Sequence, residues 1–405
     1  MTLSLDGSVF DIPRDQQAGR MQERLLKNPS IKTDAGQIVT EPAAIACLYI
    51  TKKQLHAFRD LNGLIPLYYS RSNSMVALAS ERKALWRIGL KKVDRILPGY
   101  LYTINKTHVS KTQMAYLRLA KEKKMTLRQT TAKLKRLLMG STERITKDVR
   151  KVAVAFSGGL DSSVVAWLAK QANVEVELIS VGLPGSPELQ TAEKFASALG
   201  LQLTVEPFSL DSLEEYVRRI VWLIEDPSLM KVSIATPLHW AAKVAARHGH
   251  NIMLCGQGSD ELYGGYYKYA KTLDTAGHRA LVTELHRSVI HSAEVNYERD
   301  EQATAPFNVE LRTPFADLDV IRFSLTIPLD FKVKPGNDLT RKWVLRNTAK
   351  ELGLPEEIVW RRKKAIQHGT GVENAIRKLA KGQGLTSDGY LLRIQEDVIE
   401  MDSMP

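Results

Sequence analysis

Apolar and polar positions alternate in two different ways along the chain. Between residues 40 and 105, the short apolar runs AAIACLYI, QLHAF, PLYYS and MVALAS are separated by LNG and SRSNS, a spacing that predicts strands joined by turns. From residue 125 the period changes. MTLRQTTAKLKRLLMGSTERITK (125–147) sets Met125, Leu127, Leu134, Leu137, Leu138 and Ile145 mostly at helical spacing. Beyond it VAVAF (152–156), VELISV (176–181), LQLTVEPF (201–208) and NIMLC (251–255) are β-prone runs. They alternate with helical patterns over 162–172, 188–199, 211–224 and 237–249. Such alternation predicts an α/β fold with a doubly wound parallel sheet, preceded by a small, mainly antiparallel β domain. The expected division is a β domain over 1–110, a basic linker over 111–130, an α/β domain over 131–395 and a tail over 396–405.

Composition narrows this little. A chain of 405 residues has room for two or three domains, and 44% apolar with 25% charged residues is ordinary for a globular protein. No apolar run approaches the roughly 20 residues of a membrane helix, and the N-terminus has no basic segment followed by an apolar one. Cys47 and Cys255 lie far apart in apolar stretches, which suits reduced, packed thiols in a cytoplasmic protein. The net charge of +12 would suit nucleic acid, polyphosphate or acidic small substrates equally. The basic stretch 106–124 reads as a solvated linker face.

Candidate chemistry concentrates in AFSGGLDSSVVAWLAK (155–170), at the turn from a strand into a helix. Helix N-termini in parallel sheets present unpaired N–H groups and partial positive charge, so anions bind there. Gly158 and Gly159 let a ligand approach the backbone, while Ser157, Ser162 and Ser163 can donate to phosphate oxygens. Asp161 would repel phosphate unless a divalent cation lay between them. The turn therefore points to magnesium-bound polyphosphate. It lacks GxxxxGK. SGGLDS instead resembles the PP-loop of ATP pyrophosphatases, which split ATP between its first and second phosphates to adenylate a substrate.

VGLPGSPEL (181–189), CGQGSDELYGGY (255–266), ERDEQATAPFNVELRTPFAD (298–317) and RKWVLRNTAKELGLPEEIVWRRKKAIQ (341–367) follow in order. Together with the loop they resemble the synthetase domain of glutamine-dependent asparagine synthetases of the B type, a fold of the adenine nucleotide alpha hydrolase kind. The resemblance implies that Phe156 and Val181 line an adenine pocket, and that Ser157, Gly158, Gly159, Leu160, Asp161, Ser162 and Ser163 grip the pyrophosphate part of ATP. It places Gly182, Cys255 and Gly256 at nucleotide-contacting positions, with Cys255 where serine is usual. Asp260 and Glu261 match an acidic pair, Asp161 and Asp260 are the implied Mg²⁺ ligands, and Lys363 matches a lysine on the leaving pyrophosphate. The implied reaction activates aspartate as an acyl adenylate, with ATP and Mg²⁺, and transfers ammonia to give asparagine and AMP.

Two departures stand out. Gln257 occupies the place of a glutamate thought to remove a proton from the attacking amine, which a carboxamide cannot do. Either a neighbour such as Glu261, an ATP phosphate or water takes that proton, or the nucleophile differs. FRDLNGLIPLYY (58–69), ASERKALW (79–86) and LPGYLYTI (97–104) resemble the second half of a glutaminase domain whose nucleophilic cysteine must be residue one. Here the chain begins MTL, the first cysteine is Cys47, and Asp6-Gly7 stands where the family has an Asn-Gly oxyanion element. Residues 1–110 are thus expected to be a shortened glutaminase-like domain without hydrolytic activity, with ammonia coming from solution or from a separate glutaminase subunit. A homodimer is compatible with the resemblance. A β-lactam synthetase-like ligase and a silent ATP-binding regulator are the alternatives. A tRNA-modifying enzyme would need an RNA platform or a sulfur-transfer cysteine pair, and neither nucleic acid nor membrane is expected as a partner.

Overall fold

In a computed structural model the described residues are 2–10, 12, 16–17, 19–21, 23, 31–50, 54–209, 213–336, 340–362 and 370–402. The chain forms two compact units, one from residues 1–118, 293–301 and 397–405, the other from residues 119–292 and 302–396.

The first unit is built on five antiparallel strands, β1 (Thr2–Val9), β2 (Ala43–Ile50), β3 (Leu55–Arg59), β7 (Tyr100–Ile104) and β8 (Val109–Gln113), in the order β1-β2-β3-β7-β8. A three-stranded sheet, β5-β4-β6, joins β4 (Tyr68–Arg71), β5 (Val76–Ala79) and β6 (Asp94–Arg95). The run AAIACLYI is apolar at successive positions because both faces of β2 are covered. Ile45 and Cys47 pack with Val9, Ile38, Phe58 and Leu101, whereas Ala44 and Ala46 pack on the other side with Ala57, Ile96 and Tyr102. Burial pushes the Cys47 thiol up to about 12. The basic stretch read as linker from 106 or 111 contains β8, an edge strand whose residues beyond Val109 are exposed. Its first residues are polar because they form an edge, and residues 114–126 beyond them are neither helix nor strand and include the division between the two units at 118–119. The same linker range ends inside helix α3 (Leu127–Thr146), whose start is fixed by a capping box between Thr126 and Gln129.

Segment 293–301 belongs to this unit through Glu298. Its carboxylate accepts from Arg59 (2.8 Å), Arg95 (2.9 Å) and Tyr68 (2.9 Å). Burial would raise the carboxyl, but the two guanidiniums outweigh it and hold it below its ordinary value.

The second unit carries a five-stranded sheet in the order β11-β10-β9-β12-β13, parallel throughout. Its strands are β9 (Lys151–Ala155), β10 (Glu175–Gly182), β11 (Gln202–Pro207), β12 (Ile252–Leu254) and β13 (Glu310–Arg312). Val152–Val154 and Ile252–Leu254 are wholly buried, so these strands read as unbroken apolar runs. Helices α4 (Leu160–Gln171), α5 (Pro187–Leu199) and α7 (Leu229–Arg247) pack against the strands, and α6 (Leu213–Ile224) packs on α7. Strand order reverses between β9 and β12, and their C-terminal ends open the crevice where such sheets bind ligands. On β13 Arg312 is sandwiched by Glu310 (2.7 Å) and Asp148 (2.7 Å), an ion-pair cluster that ties the strand to the end of α3.

Candidate functional site

The loop leaving β9 turns at Gly158, whose φ of +64° is left-handed, and enters α4 through Gly159. A Cβ on Gly158 would stand 2.9 Å from Thr191 Cγ2. Ser157 Oγ accepts from Gly159 N–H (3.3 Å) and lies 3.3 Å from Ser162 Oγ. Phe156 N–H donates to Ile179 O (2.8 Å), which aligns the loop with the end of β10, where Val181 and Gly182 lie. Leu160 is buried beneath the helix start.

Three hydroxyls, Ser163 Oγ on α4, Ser180 Oγ on β10 and Ser186 Oγ at the N-cap of α5, are buried with no hydrogen-bond partner among the described residues. Buried polar groups are almost always paired, and of the three only Ser163 lies in the first turn of α4, where an unpaired hydroxyl fits a hydrogen-bonding ligand such as polyphosphate.

The second wall is the turn after β12. Gly256 must lack a side chain, because a Cβ there would be 2.7 Å from Asp161 Cβ and 3.2 Å from Ser162 N. Cys255 is buried, and its N–H donates to Arg312 O (3.0 Å). Gln257 is half-buried, and its carbonyl accepts from Thr313 Oγ1 (2.9 Å). Gly258, at φ +93°, leads into α8 (Ser259–Tyr263), which carries Asp260 and Glu261. Glu261 Oε1 accepts from the Tyr266 hydroxyl at 2.6 Å. Burial, reinforced by the Glu261 and Asp260 charges, raises that phenol far above its ordinary value, so it stays a donor.

The two acids expected at the metal, Asp161 and Asp260, converge on a residue that the sequence did not single out. Lys342 Nζ donates to Asp161 Oδ1 (2.6 Å), Asp161 Oδ2 (2.7 Å) and Ser259 Oγ (2.9 Å), and pairs with Asp260 Oδ1 (2.7 Å). Its side chain is 1% exposed. The donor set of hard carboxylate and hydroxyl oxygens fits a divalent cation of the magnesium type. Arg361, also unassigned from sequence, donates to Gly158 O (2.8 Å) and Thr191 Oγ1 (3.0 Å) and so braces the loop from α5. Its only sequence signal was its place in the basic run after Trp360. Lys363, expected on pyrophosphate, lies outside the described residues.

In the first unit, Cys47 sits in the middle of β2, fully buried. A thiol raised by burial is a poor nucleophile. Asp6 accepts from Ser80 Oγ (2.7 Å), and Gly7 abuts Ala44, where a Cβ would overlap the carbonyl oxygen at 1.9 Å.

Comparison with known proteins adds a family. The family model described as asparagine synthase matches residues 133–279 and 270–391. A Methanocaldococcus jannaschii protein, provisionally named as a glutamine-hydrolysing asparagine synthetase, is 33% identical over 382 residues, covering 83% of this chain and 70% of the relative. A glutamine-hydrolysing asparagine synthetase of Arabidopsis thaliana is 27% identical, covering 81% of this chain but only 58% of its own length. Among solved structures, an NMN synthetase from Francisella tularensis aligns with 69% of this chain and 93% of its own at 14% identity. Its TM-score of 0.34 is too low to speak for the fold.

Proposed function

The chain belongs to the asparagine synthase family, and from that premise we propose that it is an ATP-dependent amide ligase that activates aspartate and joins it to ammonia. The observation that carries the proposal is the convergence of Asp161, from the serine-rich loop at the start of α4, and Asp260, from the turn after β12, on one buried point.

In the proposed reaction a carboxylate oxygen of aspartate attacks the α-phosphorus of ATP, and pyrophosphate leaves. Two anions meet and a third departs, so the barrier is largely electrostatic. The N–H groups at the start of α4 and the hydroxyls of Ser157, Ser162 and Ser163 bind the departing phosphates. Asp161 and Asp260 would hold Mg²⁺, which supplies charge neutralisation when bound. Phe156, Val181 and Gly182 border the nucleoside end, and Lys363 is assigned to pyrophosphate by resemblance alone.

Ammonia then attacks the carbonyl carbon, AMP leaves, and one proton must depart from nitrogen. Gln257 has no basic oxygen for it. Asp260 would be committed to Mg²⁺, so we assign the acceptor role to Glu261, oriented by Tyr266, with Gln257 positioning ammonia by hydrogen bonds. The first unit hydrolyses no glutamine in this reading, and ammonia comes from solution or from a separate subunit.

ATP–pyrophosphate exchange with the purified chain tests the proposal. Exchange stimulated by aspartate and abolished in Asp161→Ala is expected. Exchange driven by a different carboxylic acid would move the chain to a sibling ligase, and no exchange with any acid would make it a silent ATP-binding protein.

A further inference from the structure

A metal-binding acid pair should repel itself when the metal is away. Asp161 and Asp260 do not face that problem, since Lys342 Nζ stands between them with four oxygens at 2.6–2.9 Å. An ammonium group has three N–H donors, so this environment saturates it.

The fit is built into the backbone. Arg341 and Lys342 both hold left-handed φ values, +51° and +56°, a conformation that side-chain-bearing residues adopt only when their surroundings impose it. The buried Arg346 imposes it by donating to Arg341 O (2.7 Å) and Thr340 O (3.0 Å), while Arg341 Nη1 donates to Gly265 O (3.0 Å). Gly265 clears the passage for the lysine stem. A Cβ there would lie 2.2 Å from Lys342 Cε and 1.7 Å from Asp260 Oδ1.

The geometry points to Lys342 as a resident counter-ion that holds the divalent-cation position between Asp161 and Asp260 until polyphosphate arrives. Phosphate oxygens would give the ammonium new acceptors and free the carboxylates, so metal entry is coupled to nucleotide entry and free metal is kept out. This rests on the reading that the two aspartates are metal ligands. It adds that the apo site is closed to metal by a named side chain.

The test uses Mn²⁺ alone, with no nucleotide, titrated into the full chain and followed by electron paramagnetic resonance of free Mn²⁺. Lys342→Met and Lys342→Gln should each bind Mn²⁺ at least about tenfold more tightly than wild type, because a unit charge a few ångströms from the ion is removed. Lys342→Gln retains an amide donor, which preserves packing should Lys342→Met fail to fold. Adding Asp161→Asn to either variant should abolish the gain, and Lys342→Arg should keep the weak wild-type affinity. Equal affinity in wild type and Lys342→Gln would overturn the inference, as would a gain that survives Asp161→Asn. Neither arm involves turnover. A failed exchange assay therefore leaves this result standing, and equal affinities here would leave the ligase reading standing.

Discussion

At Gly256 a single methyl group would separate an open loop from a blocked one, because its Cβ would press on Asp161 Cβ at 2.7 Å. Gly256→Ala is expected to lower unfolding stability in urea by about 1–3 kcal/mol, the usual range for overpacking. It should also abolish pyrophosphate exchange by displacing Asp161; exchange at the wild-type rate would show that the contact does not position the acid. The loop residues were legible in the sequence because SGGLDS and CGQGSDE are local, and each sits where a strand becomes a helix. Lys342 was not. It meets Asp161 across 181 positions and Ser259 across 83, and on its own stretch it is one basic residue among several. Glu298 escaped for the same reason, since its partners Arg59 and Tyr68 lie 239 and 230 positions away.

Among the elements, the parallel strands were the most legible, since burial on both faces leaves continuous apolar runs such as VAVAF. Helix α7 was read to start near Pro237, where proline suits a first turn, yet it begins at Leu229 and runs through Pro237. Val232, Ala235 and Thr236, all buried, extend the packed face N-terminal to the proline, so tertiary contact overrides the local signal. The same helix buries His239, whose Nδ1 meets Ala303 O at 2.7 Å and whose ring lies 4.7 Å from Phe307. Burial lowers this imidazole from 6.5 to about 4. Between those values the unfolded chain binds a proton that the folded chain does not, so stability falls as pH drops from 6.5 toward 4. The expected loss is about 1–3 kcal/mol by order-of-magnitude linkage, measured by urea unfolding across that range. His239→Gln should flatten the slope; an unchanged slope would mean that another group drives it.

For the whole molecule, the question is where nitrogen comes from. Cys47 is locked in β2 with its thiol pushed up to about 12, so the purified chain should form amide from ammonium salts and none from glutamine. Cys47→Ala should leave the ammonium-dependent rate unchanged, and amide made from glutamine would contradict the account of the first unit. The two-unit division was legible only as a change of period near residue 125, because 293–301 and 397–402 return to the first unit from sequence far away. The most direct test of the central claim is product analysis with ATP, magnesium, aspartate and ammonium. The account predicts AMP and pyrophosphate formed one for one with asparagine; ADP and orthophosphate in their place would contradict it.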